Sequence, residues 1–206
     1  MITRQVRGVL QSYITNTIGK GIGRLGVSPN VVSAFALVLS APACYFIVVR
    51  QYVLAALFVV LSGVVDLIDG CVARAMNKAT KFGSYWDAML DRYVDCVIYL
   101  GFVLDGFVLE GFLATCGTVL TSYAKPRTAM VVEIYSQDWP TIGERTERFI
   151  LILAGLILAS FAPTLLGIST ISLMLWITAA MTHIGAVQRI VYTYKLVGRT
   201  DDAETR

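Results

Sequence analysis

Residues 66–91 read DLIDGCVARAMNKATKFGSYWDAMLD. Four carboxylates, Asp66, Asp69, Asp87 and Asp91, stand here inside or beside stretches apolar enough to cross a membrane. A buried, unpaired carboxylate is costly, so an acidic residue at membrane depth marks a functional site by default. On a helix Asp66 and Asp69 are three apart, and Gly70 and Ala73 follow four and seven after Asp66, all on one face. Gly83, Asp87 and Asp91 recur every fourth residue and share one face of the next helix. A short turn joins the two helices, so the faces can meet. The spacing predicts a pocket of up to four carboxylates, with Gly70 and Ala73 leaving room for a substrate and Arg74 supplying a cation for a phosphate.

Carboxylates gathered in this way repel one another, and some stay protonated unless a cation intervenes. Mg²⁺ or Mn²⁺ resolves the conflict through hard oxygen ligation, and two such ions could clamp a phosphate from both sides. The plainer reading pairs these Asp residues with Arg74 and Arg92 as salt bridges at the membrane boundary. That reading serves a single pair better than four regularly spaced Asp sharing their faces with two Gly and an Ala. Asp95 continues the face one turn beyond Asp91 and reads as an arginine partner, not as a fifth ligand.

Outward from this stretch, the 206 residues are 56% hydrophobic and 15% charged, with a mean hydropathy of +0.69. A soluble domain needs more polar surface. Six apolar segments approach the ~20 residues that a span requires, over 31–49, 52–73, 84–104, 107–124, 147–162 and 164–188. In residues 2–25, Val6, Val9, Leu10, Tyr13, Ile14, Ile18, Ile22 and Leu25 recur at helical spacing among Arg4, Arg7, Lys20 and Arg24, which predicts an amphipathic helix on the membrane surface. Ser28-Pro29-Asn30 opens the first span. The expected fold is an all-α integral membrane protein, six transmembrane helices plus an N-terminal juxtamembrane amphipathic helix, forming one domain over 1–198 with a disordered polar tail at 199–206.

Fifteen of the seventeen Lys and Arg fall before span one, between spans two and three, between four and five, or after six; Arg50 lies on the other side and Arg92 within span three. Both termini and the carboxylate site are therefore expected on the cytoplasmic side of the cell membrane. No cleavable signal peptide is expected. Cys44, Cys71, Cys96 and Cys116 show no ligand spacing and read as inert core thiols. With one histidine, His183, a His-based zinc cluster is excluded and a His-centred triad is disfavoured.

The pattern D-x2-D-G-x2-A-R-x8-G-x3-D-x3-D resembles the signature of the CDP-alcohol phosphotransferases, with Asp66, Asp69, Gly70, Ala73, Arg74, Gly83, Asp87 and Asp91 in its eight fixed places. Members of that family displace CMP from a CDP-linked alcohol with a second alcohol. The resemblance implies that Asp66, Asp69, Asp87 and Asp91 ligate metal. It implies that Asp91 is also the general base, and that Gly70, Ala73, Arg74 and Gly83, with Asp66 and Asp69, cradle the cytidine diphosphate. It also implies a homodimer, for which Gly101, Gly106 and Gly111 would permit close helix approach. Trp86, Ala88 and Met89 stand where many members carry Leu, Ser and a small residue.

Three further patterns bear on the acceptor: Ser122-Tyr-Ala-Lys125-Pro-Arg127, Gly143-Glu-Arg145-Thr-Glu-Arg148 and Val187-Gln-Arg189. They resemble the basic pocket with which phosphatidylinositol-phosphate and archaetidylinositol-phosphate synthases hold inositol phosphate, and so point to Lys125, Arg127, Arg145 and Arg189. Glycerol phosphate meets much the same charge requirement, and a CDP-inositol donor giving di-inositol phosphate is a related possibility. A serine or choline acceptor leaves the cations unexplained. The donor would be CDP-diacylglycerol or CDP-archaeol, and no nucleic-acid partner is expected. An Asp-lined ion transporter would predict broken helices near the midplane and repeat symmetry; the cluster instead lies near the cytoplasmic edge, and no such symmetry is found.

Overall fold

The computed structural model describes residues 28–75, 80–134, 139–140, 142–165 and 167–204. They form six helices: α1 (Pro29–Val48), α2 (Tyr52–Ala75), α3 (Lys81–Leu104), α4 (Val108–Ala129), α5 (Arg145–Phe161) and α6 (Thr170–Glu204). A two-residue antiparallel pair, β1 (Thr164–Leu165) and β2 (Ile168–Ser169), sits between α5 and α6. The expected surface helix at 2–25 lies outside the described residues.

Local chemistry sets the helix ends. The Ser28 carbonyl accepts the first bonds of α1, from the amides of Val31 and Val32. At its far end Arg50 adopts a left-handed backbone (φ 57°), and Gln51 N–H returns to Phe46 O at 2.9 Å, the Schellman closure that satisfies orphan carbonyls. That conformation costs a non-glycine residue about 1–3 kcal/mol, and the Arg50 guanidinium crosses to Asp105 Oδ1 at 2.7 Å. Tyr52 OH donates to the same carboxylate at 3.2 Å. Thr80 caps α3 by accepting Gly83 N–H at 2.9 Å. Gly106, at φ 107°, closes the other end of α3.

The main helix contacts run in a closed ring: α2 on α1, α1 on α3, α3 on α4, α4 on α6, α6 on α5 and α5 back on α2. Ile47, Val59, Tyr99, Phe102, Leu156, Ile171 and Leu175 fill its interior. Small residues set the helix spacing. A Cβ on Gly101 would stand 3.0 Å from Cys44 O, and one on Gly111 2.8 Å from Val103 Cγ2. Both glycines thus serve packing within the chain, and Gly106 serves a turn. The outward faces are apolar: Phe35, Val38, Leu104, Phe112, Phe161 and Ile190 are each more than half exposed.

The first five helices follow the expected segments with ends shifted by a few residues, chiefly because α4 continues through Pro126 to Ala129. The sixth does not. Its expected first residues form the β1–β2 turn around Gly167 (φ 80°), and α6 then runs 35 residues through the region expected to be a disordered tail, as far as Glu204. Two of the described helices, Asn30–Val48 and Thr170–Gly198, are long and apolar enough to cross a membrane by themselves. Of the others, α3 carries four charges between Asp87 and Asp95 and α5 has only 17 residues.

Replacing Gly101 by valine should force α1 from α3. Overpacking of this kind costs about 1–3 kcal/mol, so the purified protein in detergent should show a clearly lowered unfolding temperature. A wild-type transition would contradict the close α1–α3 contact.

Candidate active site

Helix α1 packs on both α2 and α3, which places the carboxylate faces of those two helices beside each other. Asp66 comes from α2, and Asp87 and Asp91 from successive turns of α3. One oxygen from each lies within 4.8 Å of the other two. Two unit charges at that separation repel by roughly 3–4 kcal/mol at an effective dielectric of ~20, so the cluster demands cations.

Arg145, the first residue of α5, supplies one. Its Nη1 donates to Asp66 Oδ2 at 2.6 Å and stands 2.7 Å from Asp91 Oδ1. The second contact is an ion contact without hydrogen-bond geometry, because Asp91 Oδ1 is buried and has no hydrogen-bond partner among the described residues. Arg92 Nη1 is spent mainly on Ala88 O at 2.7 Å and reaches Asp91 Oδ2 only at 3.4 Å. Three clustered carboxylates, one with a buried oxygen that has an ion contact but no hydrogen bond, fit a hard divalent cation, which takes oxygen ligands. The group can hold a metal ion.

The backbone of Asp69, Gly70, Ala73 and Arg74 continues α2, but their side chains lie outside the described residues. Gly83 lies at the start of α3, where a Cβ would come within 3.1 Å of Thr80 Oγ1 and 3.4 Å of Asn30 Oδ1. Trp86 ties the same corner to α1, its indole N–H donating to Asn30 O at 3.1 Å while its ring stacks on Phe82. The indole thus acts as a clamp on Asn30.

Next to the carboxylates opens a cavity of about 610 Å³ whose lining includes Lys125, Arg145, Arg148, Arg189, Glu144 and Trp139. Lys125 Nζ sits 6.0 Å from the centroid of Trp139, within cation–π range, and Trp139 packs edge-on against Tyr192. Arg189, 3% exposed, donates through Nη2 to Pro140 O at 3.2 Å. Its Nε and Nη1 are buried and find no hydrogen-bond partner among the described residues, and the same is true of Arg148 Nε. Unpaired buried N–H groups carry a desolvation penalty, and two such guanidiniums among the residues that line one cavity suit an anion.

Of the four cations expected for the acceptor, Lys125 and Arg189 line this cavity. Arg145 lines it as well, but its guanidinium rests on Asp66 and Asp91. Arg127 does not line it: it is exposed, with Nη1 3.9 Å from Met130 Sδ. The reason is helical phase, because α4 continues through this segment, expected to be a loop, and two residues on a helix point about 200° apart. Arg148 was missing from the expected set, although it lies in the same pattern as Arg145, one turn on. Asp95 pairs with it, Arg148 Nη2 donating to Asp95 Oδ2 at 2.9 Å, as an arginine partner was expected to. His183 is a packing residue, with Nε2 3.2 Å from Leu113 O.

Residues 26–191 match the CDP-alcohol phosphatidyltransferase family. The chain belongs to that family and is an enzyme of its kind, a transferase of phospholipid biosynthesis. It is 31% identical over 165 residues to the archaetidylinositol phosphate synthase of Pyrococcus horikoshii, covering 78% of this chain and 84% of that one. To the archaetidylinositol phosphate synthase of Methanothermobacter thermautotrophicus it is 33% identical over 136 residues, 65% of this chain and 66% of the other. Its fold is that of the Mycobacterium tuberculosis phosphatidylinositol phosphate synthase. The crystal structure of that protein with CDP-DAG bound aligns at a TM-score of 0.74 and 24% identity, covering 88% of this chain and 94% of that one. Its structure in complex with manganese and citrate aligns at 0.73 and 24%, over 87% and 88%.

Arg145 occupies the cationic place among the carboxylates, so it should compete with a metal ion there. Removing it in Arg145→Gln should tighten Mn²⁺ binding to the substrate-free enzyme about 10-fold or more, given the ~1.5–3 kcal/mol of a charged hydrogen bond. Calorimetry or Mn²⁺ electron paramagnetic resonance reads this directly; weaker binding would place the ion elsewhere.

Proposed function

We propose that this enzyme transfers the phospholipid moiety of a CDP-activated lipid, CDP-diacylglycerol or CDP-archaeol, to a hydroxyl of inositol phosphate and releases CMP. The observation that carries the acceptor is the pair of buried guanidiniums, Arg148 and Arg189, each with an unpaired nitrogen and each among the residues that line a cavity beside the carboxylates. A dianionic phosphate matches that need, and a cationic or neutral acceptor does not. Relatives at about 30% identity that bear the name archaetidylinositol phosphate synthase support the same choice.

In this reading Asp66, Asp69, Asp87 and Asp91 would hold Mg²⁺ or Mn²⁺, with two ions expected. A divalent ion bound there supplies positive charge to the diphosphate and to the departing CMP oxygen. Gly70, Ala73, Arg74 and Gly83 cradle the cytidine diphosphate, small residues permitting its approach to the helix backbones. Lys125, Arg148 and Arg189 fix the acceptor phosphate, and Arg145 joins them when it leaves Asp66 and Asp91. Orientation of this kind lowers the entropic barrier to reaction. Asp91, whose Oδ1 has no hydrogen-bond partner, accepts the proton of the inositol hydroxyl. The freed oxygen forms its bond to the β-phosphorus, the bridging bond to the α-phosphate breaks, and CMP departs with that electron pair.

The apolar outer faces of the ring support immersion of all six helices in a bilayer, where lipid covers surface that water would not. The side bearing Arg145 and Arg189 then faces the cytoplasm with both termini, and Arg50 and Asp105 the opposite side. Two chains associate as a homodimer.

The test is release of CMP from CDP-lipid with Mg²⁺ or Mn²⁺, comparing inositol phosphate, free inositol, glycerol phosphate and serine. Inositol phosphate should be the preferred acceptor. Glycerol phosphate working better would reassign the acceptor, and free inositol working equally well would remove the role given to the cations. In the same assay Asp91→Asn should retain CDP-lipid binding and lose about 10²–10⁴-fold in turnover, the scale of general-base loss. Near-normal turnover would exclude Asp91 as the base.

A further inference from the structure

Asp95 is absent from the family pattern and from the cavity lining, yet it holds Arg148, a residue that lines the acceptor cavity. It lies one turn beyond Asp91 on α3. Its Oδ2 receives Arg148 Nη2 at 2.9 Å, and Arg148 is 4% exposed. The other terminal nitrogen of Arg148, Nη1, donates to Gly143 O at 2.6 Å. With both ends of the guanidinium fixed, the remaining nitrogen, Nε, is buried without a partner among the described residues on a side chain that lines the cavity.

The turn that Arg148 grips is itself closely fixed. Gly143 has a left-handed backbone (φ 79°), and a Cβ there would stand 3.2 Å from Thr182 Cα and 3.3 Å from Met181 O. Its N–H donates to Glu147 Oε2 at 2.8 Å. Two residues later comes Arg145. A single chain of charged hydrogen bonds, Asp95 to Arg148 to the Gly143 turn, therefore sets α5 against α3.

We infer that Asp95 is a positioning residue for the acceptor: acting through Arg148, it fixes the guanidinium whose free edge receives the acceptor phosphate. It touches neither substrate. Its effect is to spend Nη2 and orient the plane, leaving Nε for the anion. A planar guanidinium binds an oxyanion directionally, so an unanchored one loses affinity even when its charge remains. The inference rests on the phosphorylated-acceptor reading.

Asp95→Asn should raise KM for inositol phosphate about 10- to 100-fold, the scale of one charged hydrogen bond, with kcat at saturating acceptor and KM for CDP-lipid within a few-fold of wild type. The inhibition constant of inorganic phosphate, competing with inositol phosphate, should rise in parallel. Because breaking a buried pair can also unfold the chain, Asp95→Glu is the companion variant. It keeps the charge and displaces the carboxylate by one methylene, so it should keep the wild-type melting temperature while still raising KM for inositol phosphate several-fold. A purely structural Asp95 would instead give, in Asp95→Glu, a wild-type KM together with a wild-type melting temperature, and that result overturns the inference. So does an unchanged KM in a folded Asp95→Asn. If the wild-type enzyme does not use inositol phosphate or another phosphorylated acceptor, the acceptor reading falls first and this inference with it, an outcome distinguishable because it appears before any substitution is made.

Discussion

Charge balance among Asp66, Asp87 and Asp91 is the constraint on which the rest of this structure turns. Three carboxylates with oxygens within 4.8 Å of one another cannot persist in a poorly solvated place without cations. The helix ring answers that need from several directions. Packing of α1 on both α2 and α3 puts the acids together, and the start of α5 delivers Arg145 between Asp66 and Asp91. The small side chains at the α1–α3 and α4–α6 contacts, Gly101 and Gly117, allow helices to approach closely enough to hold that arrangement. In lipid, close packing of this sort carries much of the association energy, because burial of apolar surface drives little there.

The polar side chains are also distributed along the bundle in a way that would separate the two proposed substrates, which are of unlike character. A CDP-lipid has long apolar tails and a doubly charged head. The outward faces of the helices are apolar, and the carboxylates lie two to three turns inside the first residue of α3. A phosphorylated polyol is wholly polar, and the cavity of about 610 Å³ beside the acids is lined by Lys125, Arg148 and Arg189. The two sites adjoin at Arg145, which touches the acids and lines the cavity. Under the proposed function, one guanidinium thus stands where the reacting groups of both substrates would meet.

Much of this was legible from periodicity. Asp87 and Asp91 were placed on one face by their spacing of four, and the structure brings them together with Asp66 on the neighbouring helix. Five helices were marked by apolar runs of membrane length. The failures have separate causes. Residues 164–169 are as apolar as a helix start, yet Pro163 precedes them and Gly167 takes a left-handed backbone, so they form a turn. The polar end from Gly198 carries no apolar signal, and yet the helix propagates through it to Glu204. Arg127 and Lys125 fall together in the segment between spans four and five, where spacing alone does not show which way each points. Once Pro126 is accommodated within α4, helical phase sends the two side chains to opposite sides. Arg148 was passed over because a sequence cannot show burial, and what marks it is a guanidinium 4% exposed with a nitrogen left unpaired. Asp69, Gly70, Ala73 and Arg74 have side chains outside the described residues, so their roles rest on the sequence pattern.

The central claim is that the carboxylates at the α2–α3 junction are the cation site of phosphatidyl-group transfer. Anomalous scattering from crystals grown with Mn²⁺ and CDP-lipid tests it most directly. The account predicts manganese density among Asp66, Asp87 and Asp91, with the Arg145 guanidinium withdrawn from Asp66 and Asp91. Well-ordered CDP-lipid with no manganese at those carboxylates, and Arg145 still between them, would contradict it.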